Sequence, residues 1–274
     1  MTCAFLPDQN ARMKYCRGRL RHDLFRMTAD IDLRDVSHWY PGSASPTVDH
    51  ITLAIPQGRT TVLVGPSGCG KTTILKLIAG LQVPRQGVVR FDPRQPPGFA
   101  YVFQSPALLP WATVAENVAL PLQLGGVPDA SRVSEALTAV GLADKLGSRP
   151  HALSGGQQMR VSLARALVSG ASRILLDEPF AALDEITRQN LVDLIDRLRV
   201  DRHLTIVLVT HNVAEAVFLG NQVALMVPNP GRILHVLKID GPSRRDSQFR
   251  SDPIYHSQCA DVSALLHQAA EAVA

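Results

Sequence analysis

Residues 65–72 read Gly-Pro-Ser-Gly-Cys-Gly-Lys-Thr and fit the pattern G-x-x-x-x-G-K-[ST] without departure. Gly65, Gly68 and Gly70 let the backbone curl until successive N–H groups, and the start of a following helix, point at one anion. Pro66, Ser67 and Cys69 complete that cradle. Lys71 would reach the β- and γ-phosphates of a nucleotide and Thr72 would offer its hydroxyl to Mg²⁺, with Thr73 next in the same turn. A thiol at Cys69, inside the loop, makes its modification an expected way to block nucleotide binding. A second group of candidates lies about 100 residues further on, where the apolar run Arg173-Ile-Leu-Leu ends in Asp177 and Glu178. A strand-ending Asp by itself is often only a turn residue. Downstream of a phosphate loop, Asp177 would hold Mg²⁺ through water, and Glu178 would orient or deprotonate the attacking water.

A third group is Leu153-Ser154-Gly155-Gly156-Gln157-Gln158, at the start of a strong helical pattern over Gln157–Val168. Ser154 alone would be an ordinary helix cap. With two glycines behind it, the segment offers a hydroxyl, free N–H groups and the positive end of a helix dipole.

These groups need elements that bring them together. Four short apolar runs each stop at a polar or glycine feature: Thr60–Val64 at Gly65, Ala100–Phe103 at Gln104, Ile174–Leu176 at Asp177-Glu178, and Thr205–Val209 at Thr210-His211. In an open parallel sheet, ligands bind beyond the carboxyl ends of the strands. If the four runs are adjacent parallel strands, their ends share one site. The remaining pattern predicts strands at Ile31–Val36 and Ile51–Ile55, joined by a turn region over Tyr40–Pro46. A further strand is expected at Gly87–Phe91, and closing strands at Val223–Val227 and Ile233–Leu237. Helices are expected over Lys71–Ala79, Ser131–Val140 and Thr187–Val200, with residues 105–170 mostly helical and one terminal helix from Asp252-Pro253.

Taken in order, the phosphate loop, Ser154–Gln158 and Asp177-Glu178 resemble the signature set of ABC transporter ATPases. The resemblance covers roughly residues 30–240. It implies an α/β P-loop NTPase with a mixed-sheet core, an N-terminal antiparallel β subdomain and an inserted helical subdomain at about 105–170. It implies Tyr40 as the aromatic residue that stacks on adenine, with Trp39 beside it as a second candidate. Gln104 becomes the glutamine that touches Mg²⁺ and the attacking water. Asp184, in Ala182-Leu183-Asp184, belongs to the loop that follows the catalytic acid, where Ala181 stands in place of the family's usual Ser or Gly. His211 becomes the switch histidine on the γ-phosphate. In this family Ser154 and Gly156 bind the γ-phosphate held by the partner subunit's loop, with Gly155 and Gln157 beside them. Two copies would then enclose two ATP molecules head to tail.

The segment after Gln104 would face transmembrane permease subunits, with Leu108, Leu109 and Trp111 offered to a partner helix or packed locally. A periplasmic solute-binding protein would be an indirect partner. The stretches Leu108–Trp111 with Glu116–Val118, and Glu178–Asp184 with Thr187-Arg188, resemble the nitrate, sulfonate and taurine importer group. An exporter ATPase and a soluble non-transport ABC ATPase remain as alternatives. The resemblance places the protein on the cytoplasmic face of the inner membrane.

Composition narrows the classes. The chain has 274 residues, 46% hydrophobic and 19% charged, which excludes a disordered chain and suits a large α/β core. No apolar run approaches the roughly 18–20 residues that span a bilayer. Cys3, Cys16, Cys69 and Cys259 have neither metal nor disulfide-framework spacing, as fits a reducing cytosol. The net charge of +4 suggests nucleic acid at first sight. Arg12, Lys14, Arg17, Arg19, Arg21 and Arg26 against Asp8 and Asp23 account for all of it. The rest of the chain is neutral, so no nucleic-acid partner is expected. Residues 1–26 read as a basic extension outside the resemblance, dispensable or preceding a true start at Met27. Residues 27–240 read as the ATPase domain and 241–274 as a short helical tail.

Overall fold

The structure, a computed structural model, describes residues 29–95 and 98–271; the basic extension at 1–26 lies outside them. The strands are β1 (Ala29–His38), β2 (Val48–Pro56), β3 (Thr60–Val64), β4 (Gln86–Phe91), β5 (Ala100–Val102), β6 (Arg173–Asp177), β7 (Thr205–Thr210), β8 (Gln222–Val227) and β9 (Arg232–Lys238). The helices are α1 (Lys71–Ile78), α2 (Val114–Leu124), α3 (Ala130–Ala139), α4 (Gly155–Val168), α5 (Glu185–Asp201), α6 (Val213–Leu219), α7 (Ser247–Arg250) and α8 (Pro253–Glu271).

Every residue of β3, β6, β7 and β8 is buried, as a strand covered on both faces requires. They belong to a six-stranded sheet of order β5-β6-β7-β3-β8-β9. All its pairings are parallel except the last, where β9 runs antiparallel to β8. A separate antiparallel sheet has the order β2-β1-β4.

Side chains alternate across the main sheet and supply two cores. Val62, Leu176, Ile206 and Leu225 join the core shared with α2–α6 and α8. Leu63, Leu175, Val207 and Met226 join the core formed with Ile74, Leu75 and Ile78 of α1 and with Leu33, Ile51 and Leu53 of the antiparallel sheet. One buried polar cluster ties the two sheets together. Asp30 of β1 accepts from Arg173 Nε at 2.7 Å and from Thr205 Oγ1 at 2.6 Å, at the starts of β6 and β7.

Helix α2 starts at a capping box: Thr113 Oγ1 accepts from Glu116 N, and Glu116 Oε2 accepts from Thr113 N at 2.7 Å. Buried Asn117 fixes the preceding loop through Leu109 N, 2.7 Å from its Oδ1, and the carbonyls of Leu109 and Ala112. Trp111 is left 71% exposed. Leu108 is partly buried against the core. Helices α4 and α5 each begin two residues before the sequence pattern suggests. Ser154 and Asp184 act as caps, and a cap reaches forward over residues with no apolar periodicity of their own. Among the described residues, no helix is long and apolar enough to cross a membrane.

Candidate functional site

The four strands whose ends carry polar features are β5, β6, β7 and β3, and they are consecutive in the sheet. Gln104, Asp177-Glu178, His211 and the loop opening at Gly65 therefore sit side by side along the carboxyl edge. The loop turns where only glycine fits. A Cβ on Gly65 would lie 2.5 Å from Met226 O. Gly70, which caps α1, has φ +93°, and a Cβ there would lie 2.4 Å from Val48 Cγ1.

Pro66, Ser67 and Gly68 form the exposed crest of the loop. Lys71, buried below them, donates from Nζ to Gly65 O and Pro66 O at 2.9 Å each. That pair of carbonyls holds the ammonium under the loop it serves. Thr73, the next buried residue, is 3.3 Å through its hydroxyl from Tyr40 OH. Tyr40 is half-buried and packs edge-on against His38, which places its ring beside the first turn of α1.

Two bonds fix the first acid. Thr72 Oγ1 donates to Asp177 Oδ1 and Tyr101 OH donates to Asp177 Oδ2, both at 2.9 Å. Burial, and then the carboxylate itself, push the Tyr101 phenol well above its ordinary value, so it stays a proton donor to Asp177. Glu178 follows with φ 46°, a left-handed conformation that costs a side-chain-bearing residue free energy. Its N–H donates to Val209 O at 3.0 Å, which pins the turn to β7. The turn brings Glu178 Oε2 to 3.3 Å from His211 Nδ1. Gln104 is exposed just past β5.

A second group lies apart from the first, on α4 and α5. Ser154 Oγ accepts from Gln157 N at 3.3 Å, and Gln157 Oε1 accepts from Ser154 N at 3.0 Å. Ser154 and Gly155 are exposed; Gly156 is buried because a Cβ there would stand 2.2 Å from Thr187 Cγ2. Asp184 accepts from Thr187 N at 3.0 Å, and its bonds to Thr187 hold its carboxyl below the usual range. The sequence-named residues thus fall into one cluster at the sheet edge, from Tyr40 to His211, and one at the paired starts of α4 and α5.

Cys69 departs from expectation. Its thiol is fully buried, and burial pushes its pKa up, so it is packed inside the loop and not presented for modification. Sequence reasoning also missed Tyr101 and Glu215, and named Arg188 only within the importer-group resemblance without a role at the site. A tyrosine one residue inside a three-residue apolar strand reads as core. Arg188 and Glu215 read as the solvated faces of helices, yet Glu215 is only 7% exposed. The donor set at Thr72 and Asp177 is hard oxygen, as suits Mg²⁺ bound mainly by phosphates and water, and Thr72 and Asp177 already face each other at bonding distance.

Comparison with known proteins agrees with this geometry. The family described as ABC transporter matches residues 48–181. The chain is 46% identical over 210 residues to a taurine import ATP-binding protein of Chromobacterium violaceum, covering 74% of this chain and 80% of that one. It is 48% identical over 198 residues to an aliphatic sulfonates import ATP-binding protein of Rhodopseudomonas palustris, covering 71% and 70%. Among solved structures, it is similar to a dimeric ATP-binding cassette in a post-hydrolysis state bound to ADP and Pi. That match has a TM-score of 0.66 and 29% identity, and covers 77% of this chain and 100% of that one.

Proposed function

The chain belongs to the ATP-binding proteins of the ABC transporter family, and on that premise we propose that it hydrolyses ATP to energise import of taurine or a related sulfonate. The observation that carries the reading is the row of four adjacent strand ends. They set a phosphate loop, a glutamine, two acids and a histidine along one edge. Similarity to named taurine and sulfonate import proteins supports the solute class.

In this reading the backbone of residues 65–70 wraps the β- and γ-phosphates. Lys71 exchanges its two loop carbonyls for phosphate oxygens. Thr72, Asp177 and Gln104 would hold Mg²⁺, which would supply charge neutralisation on the phosphates. Glu178 accepts a proton from the attacking water or orients it, and His211, already beside it, meets the γ-phosphate. Tyr40 stacks on the base.

The exposed Ser154, Gly155 and neighbouring Gly156 and Gln157, with Asp184, belong to the face that a second copy would meet. There the free N–H groups of a helix start complete the site of the partner. Two such sites then close head to tail. The loop after Gln104, with Trp111 at its crest, docks on permease subunits at the cytoplasmic face, and a periplasmic solute-binding protein delivers the solute. Residues 27–240 carry this chemistry, and residues 241–274 form an appended tail.

The test is a deletion strain grown on taurine or an alkanesulfonate as sole sulfur source. Growth should be lost, restored by the wild-type gene and not by Glu178→Gln. Normal growth of the deletion strain, or rescue by that variant, would overturn the assignment.

A further inference from the structure

Around His211 lies a set of contacts that the catalytic reading does not use. The Thr210 hydroxyl accepts from Asn212 N at 3.0 Å and donates to Glu215 Oε2. One hydroxyl therefore bridges the residues on either side of His211. Glu215, in the first turn of α6, is 7% exposed and faces a polar cavity of about 50 Å³. Glu178, His211, Thr210 and Arg188 line the same cavity.

Across the cavity, Arg188 of α5 donates from Nη2 to Leu183 O at 2.9 Å, the carbonyl just before Asp184. It also donates from Nη1 to Glu185 Oε2 at 2.9 Å. Its Nε is buried without a hydrogen-bond partner and lies 3.7 Å from Glu215 Oε1. That is an ion pair just outside hydrogen-bond range; a shift of roughly half an ångström would complete it.

We infer that Arg188 and Glu215 are a positioning pair that holds His211 against Glu178 and couples it to the loop at Leu183-Asp184. The contacts run from Leu183 O to Arg188, from Arg188 to Glu215 at 3.7 Å, and from Glu215 to the hydroxyl of Thr210, whose peptide bond leads into His211 and so to Glu178. Two links are local, Leu183 to Arg188 and Thr210 to Glu215, each five residues apart; the other two, Arg188 to Glu215 and His211 to Glu178, join separate parts of the chain. A purely structural ion pair has no reason to end on the two residues flanking a half-exposed histidine. The pair also has a state to change into, because the Nε contact is not yet made. Movement of the loop at Asp184 when two copies meet would close or open it, and so would set the position of His211. Burial raises the pKa of Glu215, while the Thr210 bond and then Arg188 oppose that shift. The acid thus depends on its partners to stay charged.

The inference rests on the ATPase reading above, and the experiment separates the two. Steady-state ATPase is measured for the full-length wild type, Glu215→Gln, Arg188→Met and the double variant, with ATP affinity measured in a Glu178→Gln background. Absence of ATPase in the wild type would sink the ATPase reading itself. Given an active wild type, each single variant should lose kcat about tenfold, with KM changed less than about twofold, and the double variant should be no worse than the singles. ATP affinity in the Glu178→Gln background should stay unchanged. Thr210→Val, which removes only the bridging hydroxyl, should give the same kcat loss and keeps the test valid if a charge variant folds poorly. Arg188→Lys, which keeps the charge but cannot serve Leu183 and Glu215 together, should recover part of the rate. Wild-type kcat in well-folded variants, or fully additive losses, would overturn the inference.

Discussion

Two polar clusters in this chain, one at an open edge and one fully buried, are built from similar groups and do opposite things. At the sheet edge, Asp177 takes one hydroxyl on each oxygen, from Thr72 and Tyr101, and Glu178 is met by one imidazole. Beneath the tail, Asp196 is fully buried, and its partners lie inside the fold. Arg199 donates to its Oδ1 at 2.7 Å and Arg245 N to its Oδ2 at 2.7 Å. Arg245 in turn donates from Nη1 to the carbonyls of Val217, Phe218 and Gly220 at 2.7–2.9 Å, and lies 5.0 Å from the Phe249 ring. Burial lowers its pKa to about 10, still far above neutrality, so Arg245 stays charged. The tail cluster faces inward: Arg245 Nε and Nη2 are buried without a hydrogen-bond partner, and the bonds made by its Nη1 and backbone N anchor residues 243–250 to α5 and the end of α6. A carboxylate oxygen that accepts only one bond has capacity left for an ion or a water; Glu178 at the edge is open enough to use it, whereas Asp196 Oδ2, which also accepts one bond, is fully buried.

The comparison breaks most sharply at Glu178. Glu178→Gln keeps the size and the backbone turn but removes the proton acceptor, so ATPase should fall 10²–10⁴-fold while the melting temperature stays nearly unchanged. On the proposed reading the variant should also accumulate as an ATP-bound dimer in gel filtration. Residual ATPase near the wild-type rate would remove Glu178 from the chemistry.

Asp196→Ala should do the reverse. Arg199 would stay buried without its carboxylate and Arg245 N without its acceptor, a loss of about 3–5 kcal/mol for a broken buried pair. Denaturant unfolding should show it, while kcat per folded molecule holds within about twofold. If catalysis fell with little change in stability, the tail would belong to the site and the division drawn above would fail.

The two clusters also differ in how far the sequence reveals them. The edge is legible because a phosphate loop, an acid pair and a lone histidine each follow an apolar run. Strand ends in a parallel sheet must meet wherever the strands are neighbours. The antiparallel sheet and the closing hairpin were legible for a similar reason, through alternation bounded by turns. The tail cluster is not legible. Ser243-Arg-Arg-Asp246 reads as a solvated turn, and nothing local says that Arg245 is swallowed by the end of α6. Tyr101 is hidden in the opposite way, since an aromatic residue in an apolar strand reads as packing. Its function appears only once β5 is known to pair with β6. Helix starts were misplaced where a cap, a single side chain, decided them.

Tyr101→Phe sharpens the edge side of the comparison. Asp177 would keep Thr72 and lose its second donor, a charged hydrogen bond worth about 1.5–3 kcal/mol where no substitute arises. Water at this exposed edge would replace part of it. ATPase should therefore fall about five- to tenfold, with a parallel weakening of the Mg²⁺ concentration dependence. A variant with unchanged Mg²⁺ dependence would show that Thr72 alone orients Asp177.

The smallest effect sets one cysteine in each region against the other. Cys69 lies fully buried inside the phosphate loop, and Cys259 lies half-buried on α8 near Tyr255. Burial raises the pKa of both thiols; Lys71 opposes the shift at Cys69 and a bond with Tyr255 opposes it at Cys259. Both are then mostly protonated at neutral pH, and access decides which reacts. By peptide mapping, a charged alkylating reagent should label Cys259 before Cys69, and nucleotide affinity should be unchanged when it does. Labelling of Cys69 should wait for denaturant. Rapid labelling of Cys69 in the native protein would mean that the loop opens to reagents on its own. The edge would then be a mobile structure and not the packed one whose two carbonyls hold Lys71.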